Sequence, residues 1–144
     1  MRAVDTNVLV YAEITSSPQP FIAQHLLRQL SEGSRQWAIP WPCIYEFLRV
    51  VTHPRVYHPA LSVDTAMQEL KTILASPSLL LLSETGEHAA LLEDVIRRSG
   101  AKGSLIHDAH IVALCLEHGV SELVTADRDF TRFSGLKITN PFAS

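Results

Sequence analysis

Four acidic residues stand where a carboxylate could catalyse a reaction or bind a cation: Asp5, Glu46, Asp108 and Asp127. Asp5 directly follows the short apolar run Arg2–Val4, and Asp127 follows a predicted strand at residues 122–125. In open α/β sheets, ligands bind at the carboxyl ends of the strands. If these two strands are neighbours in one parallel sheet, the carboxylates of Asp5 and Asp127 meet at the same edge.

The other two acids lie within apolar helical patterns. At about 100° per residue, Asp108 shares a helix face with Ile111 and Cys115. A charged carboxylate on a buried face is costly unless it is paired or bound to a metal. Glu46 lies in a predicted helix at residues 43–52 that is apolar nearly all round, which indicates a mostly buried helix.

Each acid also has a purely structural explanation, which the residues alone leave open. Asp5 and Asp127 are of a type that caps helix N-termini. Asp108 could be an acid of a first helical turn, held by free backbone N–H groups. Glu46 could pair with Arg49, three residues further on.

Brought together, the four carboxylates need compensating charge. Two carboxylates about 5 Å apart repel by roughly 3 kcal/mol at an effective dielectric near 20. The repulsion among four carboxylates adds to something on the order of 10 kcal/mol. A small domain of marginal stability needs protons or a cation to compensate for it. Oxygen ligands without a Cys or His cage suit Mg²⁺ or Mn²⁺. Such a site predicts phosphoryl chemistry, in which the metal binds the phosphate and activates a water.

Strands and helices that position these acids alternate along the chain. Predicted strands follow the first apolar run at residues 37–40, 79–82, 122–125 and 136–139. Predicted helices lie between them at residues 18–34, 43–52 and 62–75, from residue 85 or 86 to just before Gly100, at 104–118, and from 127 towards 135. Five short apolar strands alternating with helices predict an α/β fold, a three-layer α/β/α sandwich with a central parallel sheet of about five strands.

Length and composition indicate a globular protein. A chain of 144 residues suits one domain, residues 1–144, and 47% hydrophobic residues with 19% charged ones argue against disorder. With 12 basic and 15 acidic residues the net charge is −3, so a generic nucleic-acid-binding surface is not indicated. Bound cations or a local basic patch would have to attract a nucleic acid.

The cysteines and the apolar runs predict the redox state of the thiols and the location of the protein. Cys43 and Cys115 lie inside apolar helical patterns and predict reduced core residues, not a disulfide framework or a metal site. Apolar runs such as residues 79–82 are far too short to cross a bilayer, and Asp5 interrupts any signal-peptide pattern. We therefore expect a cytoplasmic protein without a membrane partner.

With all four acids placed, the chain resembles PIN-domain proteins of the VapC toxin type over essentially its whole length. The motifs that carry this resemblance are Val4-Asp5-Thr6-Asn7, Tyr45-Glu46-Phe47, His107-Asp108-Ala109-His110 and Thr125-Ala126-Asp127-Arg128-Asp129-Phe130. The resemblance implies a Mg²⁺- or Mn²⁺-dependent endoribonuclease that is the toxin of a type II toxin–antitoxin pair. RNA hydrolysis would leave 5′-phosphate and 3′-hydroxyl ends.

Carried over by residue, the resemblance makes the four acids both the catalytic and the metal-binding residues. Asn7 and Thr125 match the supporting polar positions behind such ligands. Asp129 matches the second acid of the closing motif, and its role stays open. The implied partners are RNA, a VapB-like antitoxin whose C-terminal segment occupies the active-site groove, and a second copy of the chain in a homodimer.

Contacts to RNA can be named only as candidates. Arg49, Arg55, Lys102 and Arg128 are candidates for the phosphate backbone. Trp41 and Tyr57 could stack on unpaired bases or pack internally.

Other function classes fit the residues less well. A receiver-like phosphate-signalling module would use Asp5, Glu84, Thr125 and Lys137, but it needs Asp where Glu84 stands and leaves Glu46 and Asp108 without a task. A haloacid-dehalogenase-like phosphatase would need Asp in place of Asn7. A zinc site at His107 and His110 lacks further ligands at a recognisable spacing. A PIN-like binding module with an inactive site is disfavoured because all four acids are present.

Overall fold

A computed structural model of the chain describes residues 1–13 and 18–143. The strands are β1 Arg2–Val4, β2 Trp37–Pro40, β3 Leu79–Leu82, β4 Glu122–Val124 and β5 Lys137–Thr139. The helices are α1 Thr6–Tyr11, α2 Pro18–Glu32, α3 Trp41–Val51, α4 Val63–Leu74, α5 His88–Ser99 and α6 Leu105–Glu117, and a short 3₁₀-helix spans Arg128–Arg132.

The five strands form one parallel sheet in the order β3-β2-β1-β4-β5. From β1 the chain builds outward to β2 and β3, then returns to the other side of β1 for β4 and β5. The strand order therefore reverses between β1 and β4, where Val4 is the register partner of Val124. Ligands of open parallel sheets bind at such a reversal, beyond the carboxyl ends of the strands. The predicted α/β fold, a five-stranded parallel sheet flanked by helices, is confirmed.

A continuous apolar core holds the sheet against the helices. All four residues of β2 are buried, which agrees with the unbroken apolar runs of strands covered on both faces. Phe47 of α3 and Phe130 of the 3₁₀-helix are among the largest fully buried side chains. Burying one such side chain contributes about 1.5–3 kcal/mol to the free energy of unfolding. The core thus holds α3 and the 3₁₀-helix, which carry Glu46 and Asp129, close to the sheet.

Some element boundaries differ from those predicted. The helix expected to begin at residue 85 or 86 begins at His88. In the segment before it, the backbone N–H and the hydroxyl of Thr85 both donate to Glu117, at 2.8 and 2.9 Å. Its end agrees with the prediction, since Gly100 has a φ of 68°, which favours glycine. The segment after Asp127 forms the 3₁₀-helix, which is shorter than the predicted helix.

The predictions for the cysteines and for membrane-spanning helices can be compared directly with the structure. Cys43 and Cys115 are buried free thiols, as predicted. Within residues 1–13 and 18–143, no helix combines the length and the apolar character needed to cross a bilayer.

Candidate metal centre

A cleft of about 440 Å³ opens beyond the carboxyl ends of β1 and β4. All four acids singled out in the sequence line it: Asp5, Glu46, Asp108 and Asp127. They arrive from four separate elements, namely the end of β1, α3, α6 and the end of β4. The convergence on which the predicted site depends is therefore present in the folded chain.

Asp5 is the most deeply placed of these acids. Its residue is 5% exposed, and its backbone N–H donates to the carbonyl of Val124 at 3.0 Å. Although Asp5 precedes α1, its side chain makes no capping hydrogen bond to that helix. Instead, Oδ2 accepts from the Thr125 hydroxyl at 2.8 Å and from Asn7 Nδ2 at 3.2 Å, while Oδ1 accepts from the Cys43 thiol at 3.3 Å.

Burial and hydrogen bonding act in opposite directions on this carboxyl group. Burial raises the pKa of Asp5, and the hydrogen bond from Thr125 is the largest of the effects that lower it. Burial also raises the pKa of the Cys43 thiol, and the charge of Asp5 adds to that rise, so the thiol keeps the proton that it donates. The sequence indicated only a core role for Cys43. Cys43 lies three residues before Glu46 and therefore on the same face of the helix. This spacing is the signal that could have placed the Cys43 thiol near the acids, and so near Asp5.

Asn7 and Thr125 link the ends of β1 and β4. Asn7 Nδ2 donates to Thr125 Oγ1 at 3.0 Å, and Asn7 Oδ1 accepts from the backbone N–H of Ala126 at 3.0 Å. The same Thr125 hydroxyl oxygen accepts from the backbone N–H of Asp127 at 3.0 Å. The two polar residues that the resemblance put behind the ligands thus hold Asp5 and the backbone of Asp127 in one network.

Three carboxylates, two of which line the cleft, come together. One oxygen each of Asp108, Asp127 and Asp129 lies within 4.8 Å of the others. Asp127 Oδ1 also accepts from the backbone N–H of Asp129 at 2.8 Å, so Asp127 caps the 3₁₀-helix as well as facing the cluster. The sequence left the role of Asp129 open, and the structure brings it into the cluster.

Unbalanced negative charge is evident at Asp108. Burial raises the pKa of this carboxyl group to about 6, with further contributions from the charges of Asp127, Asp5 and Asp129, while His107 has the opposite effect. Asp108 lies in the first turn of α6, which is the position that its structural explanation required. A set of carboxylate oxygens that raise one another's pKa fits a hard divalent cation, which would replace repulsion with attraction.

Glu46 lines the cleft but is engaged by its neighbour on α3. Arg49 Nε and Nη2 donate to the two carboxylate oxygens of Glu46, at 3.0 and 2.5 Å. The hydrogen bonds from Arg49 lower the pKa of Glu46, against a smaller opposite effect of burial. The structure thus shows both features of Glu46: the ion pair with Arg49 and the position at the cleft.

The candidate RNA contacts are of two kinds, basic residues at the surface and aromatic residues that pack within the chain. Arg55, Lys102 and Arg128 are exposed. The Tyr57 hydroxyl donates to the carbonyl of Glu13 at 2.8 Å, and the ring of Trp41 stacks on Tyr45 with centroids 5.9 Å apart. Both aromatic side chains thus make contacts within the chain.

The receiver-like alternative is not supported by the geometry. Lys137 lies in β5, where its Nζ is 3.8 Å from Glu122 on the adjacent strand. Glu84 bonds to His110. The lysine and the acid that such a module needs beside Asp5 are therefore engaged elsewhere.

Comparison with known proteins agrees with this arrangement. The PIN domain family matches residues 2–136. Ribonuclease VapC48 of Mycobacterium tuberculosis is 31% identical over 139 residues, 96% of each chain, and ribonuclease VapC37 of the same organism is 32% identical over 141 residues, 98% of this chain and 97% of that one. The fold is similar to the solved structure of VapBC2 from Rickettsia felis bound to a promoter DNA fragment, with a TM-score of 0.69 and 18% identity over 96% of this chain and 97% of that chain. Family match, relatives and fold agree, so the chain belongs to the PIN-domain family, within its VapC group.

Proposed function

We propose that this protein is a metal-dependent endoribonuclease, the toxin of a type II toxin–antitoxin pair, built as one PIN domain over residues 1–144. The observation that carries the proposal is the convergence of Asp5, Asp108 and Asp127 in one cleft, with the pKa of Asp108 raised to about 6. The relatives at 31% and 32% identity are named ribonucleases, which supports RNA as the substrate class.

We assign Mg²⁺ or Mn²⁺ as the cofactor, because the donor set consists of carboxylates. Asp5, Asp108 and Asp127 would hold the ion, with Glu46 as a further ligand. Asp129 belongs to the same cluster of oxygens. When bound, such a cation neutralises a phosphodiester and makes a water more acidic, as phosphoryl chemistry requires.

Preorganisation is the contribution of the protein itself. Three donors from Asn7, Cys43 and Thr125 hold the Asp5 carboxylate in one orientation. A carboxylate held in this way does not have to reorganise when the substrate arrives. Hydrolysis of the RNA backbone in line with the scissile bond would leave 5′-phosphate and 3′-hydroxyl ends.

Glu46 has to exchange partners in this scheme. Its two oxygens are held by Arg49, and the side chains of Arg49 and Glu46 are 58% and 44% exposed, so the pair can open at little cost. Once released, the Arg49 guanidinium is a candidate for the RNA phosphates, together with the exposed Arg55, Lys102 and Arg128.

A VapB-like antitoxin and a second copy of the chain are the proposed protein partners. The fold is shared with VapBC2, a complex of the toxin–antitoxin type. Exposed large apolar side chains, including Phe21 at 76%, Val63 at 68% and Tyr45 at 65%, offer surface that a partner would cover. A cytoplasmic location stays a prediction.

RNA cleavage by the purified protein tests the proposal. We expect cleavage with Mg²⁺ or Mn²⁺, none with a chelator, and loss of cleavage in Asp5→Asn and Asp108→Asn while circular dichroism stays that of the folded protein. Asp64→Asn, an exposed acid of α4 away from the cleft, is the matched control and should cleave like the wild type. Wild-type cleavage by both cleft variants would show that these acids are not the active site.

A further inference from the structure

A second group of metal-binding side chains lies beside the cleft and has no task in the proposed nuclease. It consists of Glu84 between β3 and α5, His88 at the start of α5 and His110 on α6. Each offers a ligand atom, and these atoms all lie within 4.8 Å of one another. His110 Nε2 is 2.7 Å from Glu84 Oε1, and the two imidazole rings meet edge to face with centroids 5.4 Å apart.

A further carboxylate holds one of the two imidazoles in position. His88 Nδ1 is hydrogen-bonded to Glu117 Oε2, while Glu117 Oε1 accepts from the backbone N–H and the hydroxyl of Thr85. Imidazoles that bind metals typically donate their other ring nitrogen to a carboxylate, which sets the tautomer and the orientation of the ring. With Nδ1 engaged by Glu117, Nε2 is the nitrogen of His88 that carries a lone pair.

The donor set differs in kind from that of the acidic cleft. Two imidazoles and one carboxylate suit Zn²⁺ and similar transition metals, whereas Mg²⁺ prefers oxygen ligands alone. Metal–ligand bonds of about 2.1 Å put the ligand atoms of a tetrahedral site about 3.4 Å apart. The His110–Glu84 separation is 2.7 Å and no separation in the group exceeds 4.8 Å, so small side-chain rotations would reach this geometry. A water would be the fourth ligand.

We propose that Glu84, His88 and His110 form a transition-metal site, for Zn²⁺ or an ion of similar ligand preference, distinct from the acidic centre. The carboxylate is ready for that role, because its own backbone N–H and the hydrogen bond from His110 lower the pKa of Glu84. The sequence suggested a pair of His107 and His110. In the fold, Glu84 and His88 take the place of His107 beside His110.

Position gives this site two consequences. His110 lines the same cleft as Asp108 and lies two residues further along α6, so a bound cation adds positive charge at the rim of the cleft. The ion also joins the loop before α5 to α6, because its ligands come from both. Because the ion would bind the folded protein and not the unfolded chain, it should raise the unfolding temperature.

Co²⁺ titration of the untagged protein, stripped with a chelator, tests the site. We expect one equivalent of Co²⁺ to give the visible d–d absorption of a nitrogen-coordinated ion. Zn²⁺ should abolish this absorption, because it binds such sites more tightly, and excess Mg²⁺ should leave it unchanged. Zn²⁺ should also raise the unfolding temperature.

Variants separate this site from the acidic cleft. Glu84→Gln and His88→Gln should lose the Co²⁺ absorption and the Zn²⁺-induced rise in unfolding temperature, while Asp108→Asn and the matched control His107→Gln keep both. Circular dichroism with a chelator present identifies a variant that fails to fold, and the other variant then decides. No nitrogen-type absorption in the wild type, or an absorption that survives in the folded Glu84 and His88 variants, would overturn the proposal.

Discussion

The hydroxyl of Thr125 donates to Asp5 Oδ2 at 2.8 Å, which joins two residues that are 120 positions apart in the chain. The same oxygen accepts from Asn7 Nδ2 and from the backbone N–H of Asp127. One hydroxyl therefore connects the ends of the two central strands with two of the acids of the cleft. Its loss should affect stability and activity together.

We expect Thr125→Val to lower both the free energy of unfolding and the RNA cleavage rate. The substitution keeps the size of the side chain but removes a donor from a buried carboxylate, a loss of about 1–3 kcal/mol. Urea unfolding and cleavage of a synthetic RNA measure the two effects. Thr125→Ser keeps the hydroxyl and should retain most of both, and a Val variant as stable and active as the wild type would exclude this role.

Asp108→Asn should stabilise the metal-free protein at neutral pH. Folding raises the pKa of Asp108 from 3.8 to about 6, so the folded protein binds the proton of this carboxyl group more tightly than the unfolded chain does. The stability of the protein with respect to this group is therefore fully present below pH 3.8 and is lost as the pH rises through about 6. A neutral amide removes that loss. Discounted for solvent screening of a partly exposed group, the gain is about 1 kcal/mol at pH 7.5.

Thermal unfolding in chelator at pH 7.5 and below pH 4 measures this difference. The gain of the Asn variant over the wild type should be present at pH 7.5 and nearly absent at the lower pH. Addition of Mn²⁺ should raise the unfolding temperature of the wild type more than that of the variant. A variant that is less stable than the wild type at both pH values would contradict the electrostatic explanation.

Arg49→Gln should tighten the binding of Mn²⁺ several-fold. Arg49 and the cation compete for the oxygens of Glu46, so removing the guanidinium leaves the carboxylate free to bind the ion. Calorimetric titration with Mn²⁺ measures the dissociation constant without involving RNA. Arg98→Gln, which breaks the exposed pair with Asp94 on α5, is the control and should not change it. An unchanged constant in Arg49→Gln would mean that Glu46 is not a metal ligand.

Cys43→Ala should reduce cleavage more than Cys43→Ser does. Both substitutions shorten or change a buried side chain, but only serine keeps a donor for Asp5 Oδ1, now held by the thiol at 3.3 Å. Single-turnover cleavage at saturating Mn²⁺ compares the two variants. Equal rates would show that the thiol fills space without orienting the carboxylate.

Local chemistry makes much of this fold predictable from sequence. The strands Trp37–Pro40 and Leu79–Leu82 agree with their predicted bounds, because unbroken apolar runs ended by proline or polar residues have few other conformations. Ser62, where the predicted helix 62–75 begins, caps α4 and accepts from the backbone N–H of Thr65 at 3.1 Å. Residues 8–11 belong to α1, for which the sequence pattern gave no separate element, and Val8 and Leu9 of this helix are buried in the core.

The sequence by itself determined the alternation of strands and helices and the placement of Asp5 and Asp127 directly after strands, because both depend on neighbouring residues. Only the tertiary structure decided that β1 lies beside β4, that the Cys43 thiol reaches Asp5, and that Glu84 and His88 meet His110. These contacts join distant parts of the chain. They depend on strand order and helix packing, which no local periodicity encodes.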